Sequence, residues 1–571
     1  MASASSSAAR AVVWLRNDLR VRDNPALTEA ARLVADGTVA SVIPFYSFDV
    51  GRAFGRTWVG GFPKTGPHRA RFLMESVADV RASLADPALG SGLVVDTAPP
   101  EASILRLLGA RPPPGSVVLV SPEGCPEERT VEAAVKGAVE AAGAAFRLVG
   151  GPGVSNTLLD PAQMAASYGG PAFARLPGLF TAWRKEVEAS EFWHVPKPLP
   201  VPSAGSLPLP VGDAAVAAAL ATPPPASLDD LNPAITAAGG PALHPPTSKV
   251  PPGVEAVVFK GGEAAALARL RLYLFGTKAV STYFDTRNGA GPLDSTKFSP
   301  WLAAGCLSPR TVYLALGDYE AQYGANKSTG WVTFELLWRD YFRFWAARTG
   351  ARMFSRGGPA PRRGVAWGTV TPGSTPAFDR WVAGGTGIPF LDAHMRELAA
   401  TGFQSNRGRQ NAASWLINDA GLDWRVGAAY FESTLLDHDP ASNYGNWCAL
   451  TGQASPGARL NVFNLRKQAG DYDERGEYTR AWVPELAGLA GGAVHDPGCA
   501  PRAALEAAGV VLGESYPVKL PSLARQPRVE GSAGGGGRGG GGGRGERGGG
   551  GRGGGGGGRG GGGRGGDRRR G

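Results

Sequence analysis

Leu436-Asp437-His438-Asp439-Pro440-Ala441-Ser442-Asn443-Tyr444-Gly445-Asn446-Trp447 sets two carboxylates, two amides and an indole within twelve residues. This stretch decides how the second half of the chain is read. It follows a helical pattern, Val426 to Leu435, and a further tryptophan, Trp424. Buried charges are costly unless paired or bound to something. Polar groups this dense beside large aromatics therefore predict a buried organic cofactor of redox type. In that reading Asn443 faces the cofactor's reactive edge and Trp447 stacks close to it. Asp437-His438-Asp439 does not read as a metal site: the six histidines are scattered and no second ligand cluster accompanies it.

Around this stretch, residues 263–487 show a 3.6-residue apolar period. Trp331, Phe334, Trp338, Phe342 and Trp345 recur at helical spacing, and Pro389–Ala400 reads as a helix with Gly402 just past its end. Ten of the fourteen tryptophans fall here, so an all-α domain is expected. For any one of them core packing is the competing reading, and Trp367, Trp424 and Trp447 are no exception.

Residues 10–150 alternate instead between strand and helix. Ala11–Leu15, Val39–Phe48 and Val117–Val120 read as strands, with helices over Thr65–Leu84 and Glu127–Ala141 and an N-cap at Asn24 ahead of Pro25. That alternation predicts a doubly wound parallel sheet in an α/β domain. The loop Arg16-Asn17-Asp18-Leu19-Arg20 lacks the Gly-x-Gly-x-x-Gly fingerprint, so no dinucleotide is expected there in the Rossmann manner. Residues 151–262 join the two domains. Their 196–253 segment carries 15 prolines in 58 residues and is expected to be a helix-free surface connector. A C-terminal extension follows at 488–530.

Of the formal charge of +10, residues 531–571 supply +7, through nine arginines against Glu546 and Asp567. This Gly/Arg tail cannot bury enough surface to fold and is expected to be disordered. It attracts polyanions without defining the fold, or serves as an inert solubilising tail. No run of 18 apolar residues predicts a membrane span, and four dispersed cysteines fit a reduced, soluble intracellular protein. About ten Ser-rich residues precede the first strand, short for a transit peptide. Chloroplast, mitochondrion and nucleus or cytoplasm all remain open.

Three further segments carry chemistry. Ser295-Thr296-Lys297-Phe298-Ser299-Pro300 predicts a helix start capped by Ser299, able to hold a pyrophosphate or merely to begin a helix. Glu335-Leu336-Leu337-Trp338-Arg339-Asp340 sets charges inside an apolar helix. They form either a structural salt-bridge network, or a cavity wall of Glu335 and Trp338 with Arg339 reaching a ligand. Gln404–Asn411 is a solvated connector, or it turns Asn406 and Arg409 inward and Arg407 outward to phosphate.

In this order the segments resemble the photolyase/cryptochrome family over about residues 10–487, and its DASH-type cryptochromes most of all. The motifs that carry the resemblance are Trp14-Leu-Arg-Asn-Asp-Leu-Arg20, Lys64-Thr-Gly-Pro-His-Arg-Ala-Arg71, Thr286-Arg-Asn288 with Ser295-Thr-Lys-Phe-Ser299, and Lys467-Gln-Ala-Gly-Asp-Tyr-Asp473. The resemblance implies a helical domain binding FAD in a folded form. It matches Tyr283, Ser295, Thr296 and Ser299, with Lys297 and Phe298 in the same loop, to the phosphate side. Arg339, Asn406, Arg409, Asp437, Asp439 and Asn443 fall around the ribityl chain and ring, with Arg409 pairing Asp437. Trp447, Trp424 and Trp367 match an electron relay from flavin outward to the surface.

The resemblance also implies a methenyltetrahydrofolate antenna (5,10-methenyltetrahydrofolate) with Glu128 as its carboxylate, although acids at a helix start also suit the helix dipole. For a substrate it implies a pyrimidine dimer in single-stranded DNA, met by Glu335 and Trp338, with Arg287 and Arg407 at the phosphates. The chain departs from the pattern at Ala449, where an aromatic is expected, and over Gly452–Arg459. RNA is a further expected partner, through the tail, and the protein is expected to be a monomer.

Overall fold

The computed structural model describes residues 8–190, 194–362 and 365–522. The Gly/Arg tail and its expected disorder lie outside them.

Arg10–Leu15 (β1) is wholly buried and forms the centre of a five-stranded parallel sheet. With Ser41–Ser47 (β2), Val94–Asp96 (β3), Val117–Val120 (β4) and Ala145–Leu148 (β5), the order is β3-β2-β1-β4-β5. Ala11 is in register with Val42 on one side and Val117 on the other. The chain order reverses beside β1, so the carboxyl ends of β1 and β4 open a crevice at a topological switch point. Two strands escape the sequence reading. β3 is three residues long, its apolar run confined to Leu93–Val95, and β5 is largely exposed at the sheet edge. The expected third strand is the fourth in the chain.

The loop after β1 is a docking surface. Asn24 caps the next helix, accepting from Ala26 and Leu27 N–H at 3.1 Å each. Glu263 accepts from Val21 N–H at 2.8 Å, and Arg20 donates to the Gly305 carbonyl at 2.8 Å. Gly305 sits at φ +73°, and a Cβ there would lie 1.9 Å from the Asn17 carbonyl oxygen. Only glycine fits both that backbone conformation and that approach.

The connector is less plain than its composition implies. Ala214–Ala221 and Leu228–Ala237 are helices, against the helix-free expectation. Prolines crowd on either side of the first, which is itself proline-free. The second tolerates Pro233 because a Ser227–Asp230 capping box secures its start and Leu231 and Ile235 bury its inner face. Upstream, the Pro208 carbonyl accepts the Val42 N–H at 2.7 Å, and Leu220 lies against Gly92 just ahead of β3.

The helical half is organised by the 23-residue helix Lys327–Thr349, which runs into the core and buries Phe342, Phe344 and Trp345. Its charges are not one salt-bridge network. Asp340 is fully buried and accepts the Leu158 and Leu159 N–H groups at 3.0 and 2.9 Å, burial raising its carboxyl to about 6. Among the described residues no helix is long and apolar enough to cross a membrane.

Gly305→Ala forces either a left-handed alanine or a parting of backbone from Asn17. A loss of about 2 kcal/mol in urea unfolding is expected. An unchanged midpoint would show that the loop after β1 does not depend on this contact.

Candidate functional site

The helix Pro440–Leu450 is the axis of the site. Asp439 caps it, accepting the Ser442 N–H at 2.9 Å, and Pro440 fits the first turn. Asn443 and Trp447 are four residues apart and so share one face. The Asn443 amide donates to the Ala428 carbonyl at 3.0 Å, which turns its oxygen to the other side. Trp447 packs on Gly427 of the helix Trp424–Thr434, where a Cβ would meet the indole at 2.4 Å. On the opposite flank Gly445 lets Phe342 of the long helix approach just as closely.

Asp437 and Arg409 pair at 2.8 Å, as expected. The second Asp437 oxygen is buried and has no hydrogen-bond partner among the described residues. An unpaired buried acceptor is costly unless a ligand donor meets it, so this atom fits a polar heterocycle beside Asn443. Asp439 pairs with Arg343 at 3.3 Å, and Arg343 reaches Glu123 at 3.5 Å. Burial works to raise the Asp439 carboxyl. The charges of Arg343 and then Arg339 outweigh it and hold the group below its usual value. Neither Arg343 nor Glu123 was singled out from the sequence. The one local signal is that Arg343 follows Arg339 by a helical turn.

Arg339, expected to reach a ligand, donates to the Asn156 and Leu302 carbonyls, the latter at 3.0 Å. Burial, with the like charge of Arg343, pushes its guanidinium down to about 9. The Ser295–Ser299 loop is tied down by Arg269, which donates to the Ser295 and Thr296 carbonyls at 3.2 and 3.1 Å. Ser299 is not the cap. Phe298 occupies that position in a helical conformation, and Ser299 is the exposed first residue of a short, otherwise largely buried helix, Ser299–Ala304. Lys297 is buried, holds φ +53°, and lies 5.1 Å from the Phe403 ring centre; burial lowers its pKa. Tyr283 is buried beside Ser328, whose hydroxyl accepts the Phe284 N–H at 3.0 Å.

The expected orientations in Asn406–Arg409 are only half met. Asn406 is exposed in the first turn of its helix. Arg407 is half-buried, donating to Asn288 at 3.2 Å and lying 4.5 Å from the Tyr472 ring centre. The aromatic seat beneath the guanidinium explains the difference. Glu335 accepts from the Trp331 indole at 3.0 Å and lies 3.9 Å from Arg287. Burial raises its carboxyl, against both neighbours. Trp338 stacks on Phe180 at 3.6 Å and 16°, so one ring face is already taken by the protein.

Trp424 is fully buried and donates to the Arg356 carbonyl at 3.0 Å, and Arg356 donates in turn to the Trp367 carbonyl. Trp367 is 7% exposed, so it does not stand at the surface as expected. The Gly368–Leu422 bridge that holds it inward is a pairing between distant segments and has no local signature.

A cavity of about 280 Å³ lies at the switch point of the sheet, between Trp14–Asn17, Glu123–Glu128 and the His438–Ala441 segment. Glu128 lines it with one oxygen buried and without a hydrogen-bond partner among the described residues. Burial, then the charge of Glu123, lifts its carboxyl to about 7. Burial and then Arg69 keep His438, on the facing wall, well below its usual pKa and so neutral.

Comparison with known proteins agrees with this geometry. Residues 11–203 match the family model for DNA photolyase, and residues 331–529 that for the FAD binding domain of DNA photolyase. The cryptochrome DASH of Danio rerio is 41% identical over 90% of this chain and 91% of its own. That of Arabidopsis thaliana, described as chloroplastic/mitochondrial, is 37% identical over 85% and 78%. The crystal structure of a Synechocystis cryptochrome superposes with a TM-score of 0.76, at 35% identity over 90% of this chain and 96% of that one. A sheet that opens a crevice at its switch point, a helical half that keeps a buried Asp437 oxygen without a partner among the described residues, and this extent of identity have one explanation: the chain belongs to the photolyase/cryptochrome family, among the DASH cryptochromes, and carries their FAD-binding domain.

Proposed function

We propose that this protein is a blue-light flavoprotein that repairs cyclobutane pyrimidine dimers in single-stranded DNA. The observation that carries the reading is the Asp437 carboxylate, held by Arg409 through one oxygen and left open at the other, on the segment that leads into Asn443 and Trp447. Bound FAD would supply light absorption and one-electron chemistry. Asn443 would present its amide oxygen to the ring without changing charge, and Trp447 would give up an electron, with Trp424 and Trp367 behind it. Ser295, Thr296 and Ser299 would meet the phosphates.

On the substrate side, Arg287 and Arg407 would hold DNA phosphates. Glu335, its pKa raised by burial, keeps a proton more readily than an ordinary carboxylate. It would donate that proton to a pyrimidine carbonyl. Trp338 would offer its free face to a base. Single-stranded DNA suits such a site because a lesion there is already unstacked. Glu128 would bind the 5,10-methenyltetrahydrofolate antenna, and the Gly/Arg tail would add non-specific affinity for DNA or RNA. The protein would act as a monomer.

Ala449 favours a second reading, a signalling photoreceptor with little repair. A base loses about 1–3 kcal/mol where its stacking ring is missing.

Loss of a thymine dimer from a single-stranded oligonucleotide, only under blue light and with reduced protein, is the expected result. If the illuminated, flavin-loaded protein leaves the dimer intact, the repair reading is wrong and the signalling one stands. Glu335→Gln should slow repair about ten-fold, and Ala449→Tyr should tighten binding of the dimer about ten-fold. Trp447→Phe should abolish light-driven bleaching of the oxidised flavin band in the presence of a thiol, with flavin content unchanged.

Glu128 makes a separate pH prediction. Its folded pKa of about 7 lies above the unfolded carboxylate value. The stability it contributes is therefore complete below about pH 4.5 and declines as pH rises through 7. Glu128→Gln should raise Tm relative to the parent at pH 8 and leave it nearly unchanged at pH 5. Equal shifts at both would show that the carboxyl does not titrate in this window.

A further inference from the structure

Beyond Glu335, the wall of the site continues outward as an alternation of cations and rings. Lys327, exposed at the start of the long helix, lies 3.6 Å from the Phe284 ring centre. Arg287 lies 4.6 Å from Phe284 and 4.6 Å from Trp331. Trp331 and Phe334 follow at 4.4 Å between ring centres, and Arg184, from a helix of the connector, lies 5.1 Å from Phe334. Lys278, held at φ +54°, repeats the arrangement over Tyr323 at 4.1 Å. Phe284, Trp331 and Phe334 are half-buried, so part of each ring stays open to solvent.

We infer that this ridge, along the N-terminal half of the helix Lys327–Thr349, is a track for the single strand flanking the lesion pocket. The inference rests on the DNA reading above and adds a second, lesion-independent contact surface to it. Lys278 and Lys327, seated over rings and without a carboxylate partner among the described residues, keep their charge available to phosphates, while Arg184 pairs with Glu188 at 3.5 Å and Arg287 lies 3.9 Å from Glu335. A cation lies against each ring, so an unpaired base would pack on the part of the ring left open to solvent, which paired bases in a duplex cannot reach. Trp331, Phe334 and Trp338, at helical spacing, line one face and lead from the open surface to the pocket. The hydrogen bond from the Trp331 indole to Glu335 makes the track continuous with the lesion site. A strand held along it enters the pocket with its register already set.

The test measures binding of a lesion-free oligothymidine to the full-length, flavin-loaded protein by fluorescence anisotropy over a range of salt. The combined variant Lys278→Gln, Lys327→Gln should lower the log–log salt slope by about 1.4. Phe284→Ala should weaken binding about ten-fold at fixed salt. Lys327→Gln alone, at an exposed position, should lower the slope by about 0.7 and keeps the test decisive if the combined variant fails to fold. An unchanged slope in Lys327→Gln overturns the proposal. So does an equal loss on a duplex of the same sequence, which would mark a general phosphate patch. Because the probe carries no dimer, absence of repair activity leaves this readout intact.

Discussion

Arg343 joins the parts that matter. It is buried on the long helix and reaches Glu123 in the α/β half and Asp439 at the cap of the helix that carries Asn443 and Trp447. Two carboxylates from opposite halves thus share one guanidinium in a place water hardly reaches. Removing such a central charge typically costs 3–5 kcal/mol because both partners are left uncompensated. The geometry makes that cost functional as well as structural. Asp439 sets where the site helix begins, and a cap that moves takes the amide and the indole with it.

The same segment has two unlike sides. Residues 437–441 give one side to Asp437, Arg409 and Asn443, and the other to the crevice with Glu128. The crevice side carries neutral His438 and a carboxyl near half-protonation, while the Asp437 side is fixed by an arginine. Two ligands of different polarity would meet different electrostatics across a wall a few residues thick, without a domain movement to keep them apart.

What was legible in the chain was what is local. The β1 run, the Asn24 cap, the end of a helix at Gly402 and the density of polar groups in 436–447 each state their meaning within a few residues. Arg409 and Asp437 were paired from the family pattern, and the structure joins them. What was not legible depends on partners far away. Arg343 looks like one more basic residue in an aromatic helix until Glu123, 220 positions earlier, is brought to it. Asn406 and Arg407 carry no local sign of which is covered, because Tyr472 decides it. Trp367 is drawn inward by the bridge between its neighbour Gly368 and Leu422. The proline-rich connector misled through composition: its prolines are clustered, the gap between Pro210 and Pro223 is long enough for two turns of helix, and the helix Leu228–Ala237 accommodates Pro233.

That connector also changes how the sheet meets solvent. A free strand edge is a template for pairing with another chain. Here the Pro208 carbonyl takes the Val42 N–H, and the helix Ala214–Ala221 lies beside β3, so one edge is covered by a segment that reads as a spacer. The opposite edge, β5, carries Arg147, paired with Glu29 at 2.7 Å. One edge is thus shielded by chain and the other by charge. A proteolytic nick in the connector would therefore matter less as a lost tether than as an uncovered edge, and its first consequence would be self-association of an otherwise intact flavoprotein.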